Sequence, residues 1–112
     1  MARYRVAWLP GDGIGVEVSA AARRVLDAVG FEADYRPGDI GWEFWRTEGE
    51  ALPARTVDLM KGSDAAFFGA VPSRPAAAAE AELAPALKGK GLSYRSPIVR
   101  LRQAFDLYVC LR

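Results

Sequence analysis

Four residues close to the carboxyl end of the sequence, Ser96, Arg100, Arg102 and Arg112, carry the groups best suited to holding an oxyanion. They lie in the stretch RSPIVRLRQAFDLYVCLR, from Arg95 to Arg112. Ser96 followed by Pro97 predicts a helix start. The serine hydroxyl can accept a hydrogen bond from a free backbone N–H, and proline at the first helical position gives up no bond it would have made. At about 100° per residue, Ser96, Val99 and Arg102 share one face of that helix, while Arg100 points nearly the opposite way. A hydroxyl at a helix start with an arginine a turn or two later makes a pocket for a carboxylate or phosphate. The apolar run Leu107 to Leu111 predicts a short strand that delivers Arg112 to its carboxyl end, where open α/β sheets place ligands. The same arginines also fit a helix's ordinary solvated face.

A second stretch able to do chemistry is PGDGIG, Pro10 to Gly15. Gly11-x-Gly13 matches the opening of a dinucleotide fingerprint, but the third glycine falls due at position 16, which is Val16, so GxGxxG is absent. Glycines here can still bring backbone amides to an anion at a helix N-terminus, or simply make a tight turn, and the pattern leaves both open. The sequence has no histidine. Acid–base work near neutral pH therefore falls to perturbed carboxylates, Lys or Tyr, or to groups elsewhere. The lone cysteine, Cys110, lies in the apolar run before Arg112 and reads as a buried core thiol in a reducing compartment.

The elements that must position these residues are legible in outline. Tyr4 to Leu9, YRVAWL, predicts a buried strand ended by Pro10. Ile14, Val18, Ala21, Ala22, Val25 and Val29 then recur at helical spacing, with Gly30 as the stop. Phe31 to Arg36 alternates like a half-buried strand, completing a β–α–β unit with parallel strands. GWEFWRT, Gly41 to Thr47, predicts a short helix or turn that packs Trp42 and Trp45 on the core, since no basic cluster accompanies them for base stacking. Pro53 opens a further helix with Val57, Met60 and Leu52 inward and Gly62 as its end. DAAFFGA, Asp64 to Ala70, predicts a buried strand. In Val71 to Tyr94, Pro72, Pro75 and the Ala76–Ala79 run argue against a regular element at the start. A short helix is expected within Ala77 to Leu87.

With 112 residues, 51% of them hydrophobic, and a net charge of +1, the chain fits one globular domain over 1–112. Near-neutral charge gives no general pull toward nucleic acid or membrane, and Lys88 and Lys90 come without a nucleic-acid-binding motif. No apolar run approaches the roughly 18 residues that span a bilayer, and the start lacks a basic-then-apolar signal pattern. The expected compartment is the cytoplasm.

Three segments together are more specific than any of these patterns. LPGDGIGVEV (Leu9 to Val18), DAAFFGAV (Asp64 to Val71) and SPIVRLRQAFDLYVCLR (Ser96 to Arg112) resemble, in order and spacing, the N-terminal part of the isocitrate/isopropylmalate dehydrogenases. The resemblance covers essentially the whole chain. It implies an α/β fold with an open, mostly parallel sheet flanked by helices, here the N-terminal segment of the large domain. It also implies NAD- or NADP-linked oxidation of a malate-type hydroxyacid with loss of carbon dioxide, aided by Mg2+ or Mn2+. Carried over by motif, Ser96, Arg102 and Arg112 bind a small di- or tricarboxylate substrate, while Ile14, Ala70 and Val71 lie at the cofactor. Position 98 is Ile where common bacterial isocitrate enzymes carry Asn, which leaves isopropylmalate, homoisocitrate or tartrate open as substrates; DLYVCLR lies closer to the isocitrate branch.

The family's catalytic Lys and Tyr and its metal-binding Asp residues have no counterpart in this stretch. The chain is therefore expected to be a fragment of a longer, homodimeric enzyme, inactive alone. A non-catalytic carboxylate-binding or regulatory module is the alternative, and a generic α/β domain of unrelated role the third possibility.

Overall fold

The computed structural model describes residues 3–72 and 74–112. A three-stranded parallel sheet in the order β2-β1-β3 stands at its centre, built from β1 (Tyr4–Gly11), β2 (Ala33–Pro37) and β3 (Ala65–Ala70). The register runs Val6 to Tyr35 on one side of β1 and Trp8 to Phe67 on the other. Around it lie α1 (Ile14–Ala28), α2 (Trp42–Glu48), α3 (Ala54–Lys61), α4 (Ala76–Glu82) and α5 (Pro97–Ala104), with a 3-10 turn at Pro85–Leu87. This is the α/β architecture that the alternation of strand and helix patterns implies. The β1–α1–β2 unit forms as expected, and Gly30, at φ 73°, ends α1 in the left-handed conformation glycine tolerates.

Two apolar clusters hold the layers together. Leu9, Ile40, Leu52 and Leu101 are buried in one, joined by Val57, Met60, Phe68, Ile98 and Phe105, so it fastens α3 and α5 to one face of the sheet. Truncating Leu9, which is wholly buried, would cost about 2–5 kcal/mol. The other holds Trp42, Trp45, Ala51, Ala79 and Leu83, with Leu87, Leu92 and Tyr94 against them. The two tryptophans are core residues, each edge-on to Tyr94 at 4.9 and 5.4 Å between ring centres. The Trp45 indole N–H donates to the Ala79 carbonyl at 2.8 Å, which ties α2 to α4.

Several expectations are corrected. The expected short helix is present, as α4, but regular structure starts earlier than the composition implies: α4 begins at Ala76, immediately after Pro75, because proline fixes the extended residue before a helix as readily as it interrupts one. The Ile14–Val18–Val25–Val29 stripe of α1 is exposed, at 66%, 45%, 62% and 72%. The face that meets the sheet instead carries Gly15 and Ser19, with Ala22, Arg23 and Leu26 partly covered. Close approach selects it, since a Cβ on Gly15 would lie 2.3 Å from the Pro10 carbonyl oxygen and 2.8 Å from the Ala70 backbone. Strand β3 is not buried; Ala65 and Ala66 are exposed because its outer edge is unpaired among the described residues.

The largest departure is at the end of the chain. Leu107 to Leu111 forms no strand, for β1 already has a neighbour on each side and neither outer edge takes up this segment. Asp106, at φ 51°, turns the chain out of α5 while the Leu107 N–H bonds the Arg102 carbonyl at 2.9 Å, a Schellman-type ending. Leu107, Tyr108, Val109 and Leu111 are exposed, and Cys110 is an exposed thiol, not a core one.

Candidate functional site

The carboxyl ends of β1 and β3 meet where the PGDGIG turn crosses Ala70. Gly11, at φ 82°, allows the crossing; a Cβ there would lie 1.9 Å from the Ala70 carbonyl oxygen. The Asp12 N–H donates to that same carbonyl at 2.9 Å. Gly13 is different: its φ of 54° also calls for glycine, but nothing crowds it. The tight-turn reading is seen at Gly11 and Gly15, which make close packing, while Gly13 is left open.

Gly13 opens on a depression of about 530 Å³, whose wall includes Asp12, Ile14, Trp42, Ala70 and Val71. The three residues assigned by resemblance to the cofactor, Ile14, Ala70 and Val71, therefore converge, although 56 positions separate the first two. Sequence pattern gave no sign of the part played by Trp42 and Asp12. The Asp12 carboxylate accepts hydrogen bonds from the backbone N–H groups of Trp42 at 2.5 Å and Glu43 at 3.3 Å, so it caps α2 from a different element. It occupies an anion position with a protein carboxylate, an arrangement favoured by the helix dipole. Gly41 has to be glycine here, since a Cβ would strike that carboxylate at 2.1 Å. The remaining charges of the depression are paired: Arg46 with Glu43 at 2.5 Å and Arg74 with Glu82 at 2.6 Å. Glu82 also accepts the Trp42 indole N–H.

A second depression, of about 440 Å³, shares Ala70, Val71, Pro72 and Arg74 with the first and adds Tyr94, Ser96 and Ile98. Burial, and secondarily the negative charge of Asp12, pushes the Tyr94 phenol above its ordinary value, which favours its neutral, hydrogen-bond-donating form. The Ser96 hydroxyl does not cap α5; the Ser96 carbonyl accepts the Arg100 N–H at 3.1 Å instead, and the side chain is left to line the depression. Arg100 and Arg102 part company as their helical spacing requires. Arg100 pairs with Glu50 and anchors α5, whereas Arg102 is exposed.

Arg102 lines a separate hollow formed with Leu107 to Leu111, and Arg112 is exposed on the extended tail. The expected closure of one pocket by Ser96, Arg102 and Arg112 is therefore not seen; without a strand at Leu107 to Leu111, nothing carries Arg112 toward Ser96. Among the described residues, no group of three His, Cys, Asp or Glu side chains could hold a metal ion, and no helix is long and apolar enough to cross a membrane.

Comparison with known proteins gives the chain's relatives. The chain is 44% identical over 108 residues to the protein DlpA of Legionella pneumophila, covering 96% of this chain and 18% of that protein. It is 36% identical to the isocitrate/homoisocitrate dehydrogenase of Thermus thermophilus, covering 97% of this chain and 29% of the relative. The crystal structure of isocitrate dehydrogenase from Methylococcus capsulatus superimposes with a TM-score of 0.72 at 29% identity, over 96% of this chain and 27% of that one. The chain thus spans between 18% and 29% of the length of these relatives. The family model for isocitrate/isopropylmalate dehydrogenase matches residues 5–112, and the chain belongs to that family.

Proposed function

We propose that this chain is the N-terminal segment of the large domain of an NAD(P)-dependent oxidative decarboxylase acting on a malate-type β-hydroxyacid. Isocitrate and 3-isopropylmalate are the first candidates, homoisocitrate and tartrate the next. The observation that carries this reading is the convergence of Ile14, Ala70 and Val71 on one depression beside the open Gly13, adjoining a second depression that Ser96 lines. Such a site lies outside the carboxyl ends of parallel strands, the usual place for ligands in open α/β sheets. A bound nicotinamide would accept hydride from the hydroxyl-bearing carbon. In this reading Ile14 and Val71 contribute apolar contact and Ser96 a hydroxyl, while Arg102 and Arg112, which lie apart from Ser96 here, are assigned to the substrate carboxylates by motif resemblance alone.

A divalent Mg2+ or Mn2+ would polarise the developing carbonyl in such an enzyme. The described residues do not assemble a site for it, and no step through a metal is assigned to them. The working state proposed for the full-length protein is a cytoplasmic homodimer. A second reading, a carboxylate-binding module without turnover, draws on the three candidate substrate residues Ser96, Arg102 and Arg112.

The test is a panel of the four hydroxyacids with NAD and NADP, using the protein expressed from its whole natural coding sequence. Hydroxyacid-dependent formation of reduced cofactor is the expected result, abolished when Ala70→Trp fills the shared wall of the two depressions. Dicarboxylate binding with no turnover would favour the module, and absence of both would overturn the two readings together. The isolated 112-residue chain is expected to give no turnover.

A further inference from the structure

Arg74 occupies a place that no motif singles out. It lines both depressions, and it is the only charged residue lining the second among the described residues. Its guanidinium pairs with Glu82 at 2.6 Å and lies 5.1 Å from the centre of the Trp42 ring. Glu82 in turn accepts the Trp42 indole N–H, so Arg74, Glu82 and Trp42 form one linked group on the wall of the first depression, from which Arg74 also reaches the second.

The Arg74–Glu82 pair is a weak tether. The two side chains are 43% and 34% exposed, and ion pairs in such surroundings contribute little to stability. Glu82 keeps a second partner in Trp42 when the arginine leaves, which lowers the cost of its release. An oxyanion entering the second depression would meet no other full charge there, only the Ser96 hydroxyl and the Tyr94 phenol. A guanidinium fork fits a carboxylate or phosphate through two parallel hydrogen bonds, a stronger match than an exposed monodentate pair.

We propose that Arg74 is a latched oxyanion ligand: held at rest by Glu82 over Trp42, it transfers to the carboxylate or phosphate of a molecule bound in the second depression. The inference rests on the reading of the two depressions as ligand sites and adds to it a specificity-determining residue. Because the transfer takes a cation off the Trp42 ring, it carries its own optical signature.

The experiment measures dissociation constants for isocitrate, 3-isopropylmalate, ADP and NAD, with adenosine as an uncharged control, in the protein expressed from its whole natural coding sequence. Arg74→Gln is expected to weaken at least one oxyanion probe about tenfold, leave adenosine unchanged, and remove the tryptophan fluorescence change that the probe causes in the wild type. Loss confined to the hydroxyacids identifies a substrate carboxylate; loss confined to ADP and NAD identifies a cofactor phosphate. Arg74→Lys, which keeps the charge without the fork, is expected to fall between the two. Glu82→Gln, which still accepts from the indole but releases the arginine, is expected to tighten the same probe two- to threefold. Unchanged affinities in Arg74→Gln overturn the ligand role while leaving the proposed function intact, and absence of tightening in Glu82→Gln overturns the latch. If the wild type binds none of the probes, both the proposed function and the role of Arg74 fall.

Discussion

The carboxylate of Asp12 accepts the backbone N–H of Trp42 at 2.5 Å, across 30 positions of sequence, and so fixes the start of α2 to the turn that precedes α1. One side chain thereby couples the two walls of the first depression. Helix caps of this kind are worth about 0.5–2 kcal/mol, and a cap supplied by an ionised group lies toward the upper end. Asp12→Ala is expected to lower stability by about 1–2 kcal/mol, read from the midpoint of a urea titration. Gly41→Ala attacks the same junction from the other side. It places a Cβ against the carboxylate at a φ of 126° and should cost about 1–3 kcal/mol. Stability unchanged in both variants would show that the cap does not hold α2.

The same carboxylate acts on Tyr94. Burial is the first cause of that phenol's raised titration point and the charge of Asp12 the second. A group whose native value lies above its unfolded value contributes stability that is fully present below the unfolded value, here 10.0, and lost as pH rises through the native one. Ultraviolet absorbance of the native protein should therefore show one tyrosine ionising later than 10.0. In Asp12→Asn that tyrosine should move part of the way back, by the charge contribution alone. A Tyr94 that titrates identically in the two proteins would remove Asp12 from the account.

At the opposite end of the sheet the sign reverses. The Asp64 carboxylate accepts the Arg5 backbone N–H at 2.7 Å, and that bond, with the Arg5 charge in support, holds its titration point below 3.8. Stability from this contact is present above 3.8 and lost as pH falls through the lower native value. Asp64→Asn should flatten the acid side of the stability curve in that window by lowering stability above 3.8 toward its value at low pH. An unaltered acid limb would show that Asp64 does not help hold β1 beside β3.

The sheet and its β–α–β unit were legible because Tyr4 to Leu9 and Phe31 to Arg36 carry strand patterns on either side of a helical repeat. The orientation of α1 was not. Two stripes, Ile14–Val18–Val25 and Gly15–Ser19–Ala22–Leu26, lie about 100° apart on one helix. Hydrophobicity alone favours the first, yet the backbone of Ala70 admits only the smaller residues of the second. Arg23 illustrates the same limit, since its guanidinium packs 3.5 Å from the centre of the Tyr35 ring, where an apolar residue would be expected. Leu107 to Leu111 fails for another reason. A strand is a property of two segments, and a strand-like sequence without a partner has nothing to pair with. The misplacing of Cys110 follows from that one error. The convergence of Ile14 and Ala70 was not legible from spacing, because they come together only when β1 and β3 pair; motif resemblance alone linked them.

Arg102 separates the roles of charge and of shape in the proposed substrate site. It is exposed, unlike Arg100, whose pairing with Glu50 belongs to the packing of α5. Substituting Arg102 should therefore leave the fold intact, so that any effect on binding can be read directly. Lysine at this position preserves the charge but not the planar fork that matches a carboxylate with two hydrogen bonds. In the full-length protein, Arg102→Lys is expected to raise KM for the hydroxyacid about tenfold, equivalent to about 1.4 kcal/mol of binding, with the melting temperature unchanged. Arg100→Lys should do the reverse, lowering the melting temperature with little effect on KM. Unchanged KM and kcat in Arg102→Lys would remove this arginine from the substrate site and leave it as a solvated residue of α5.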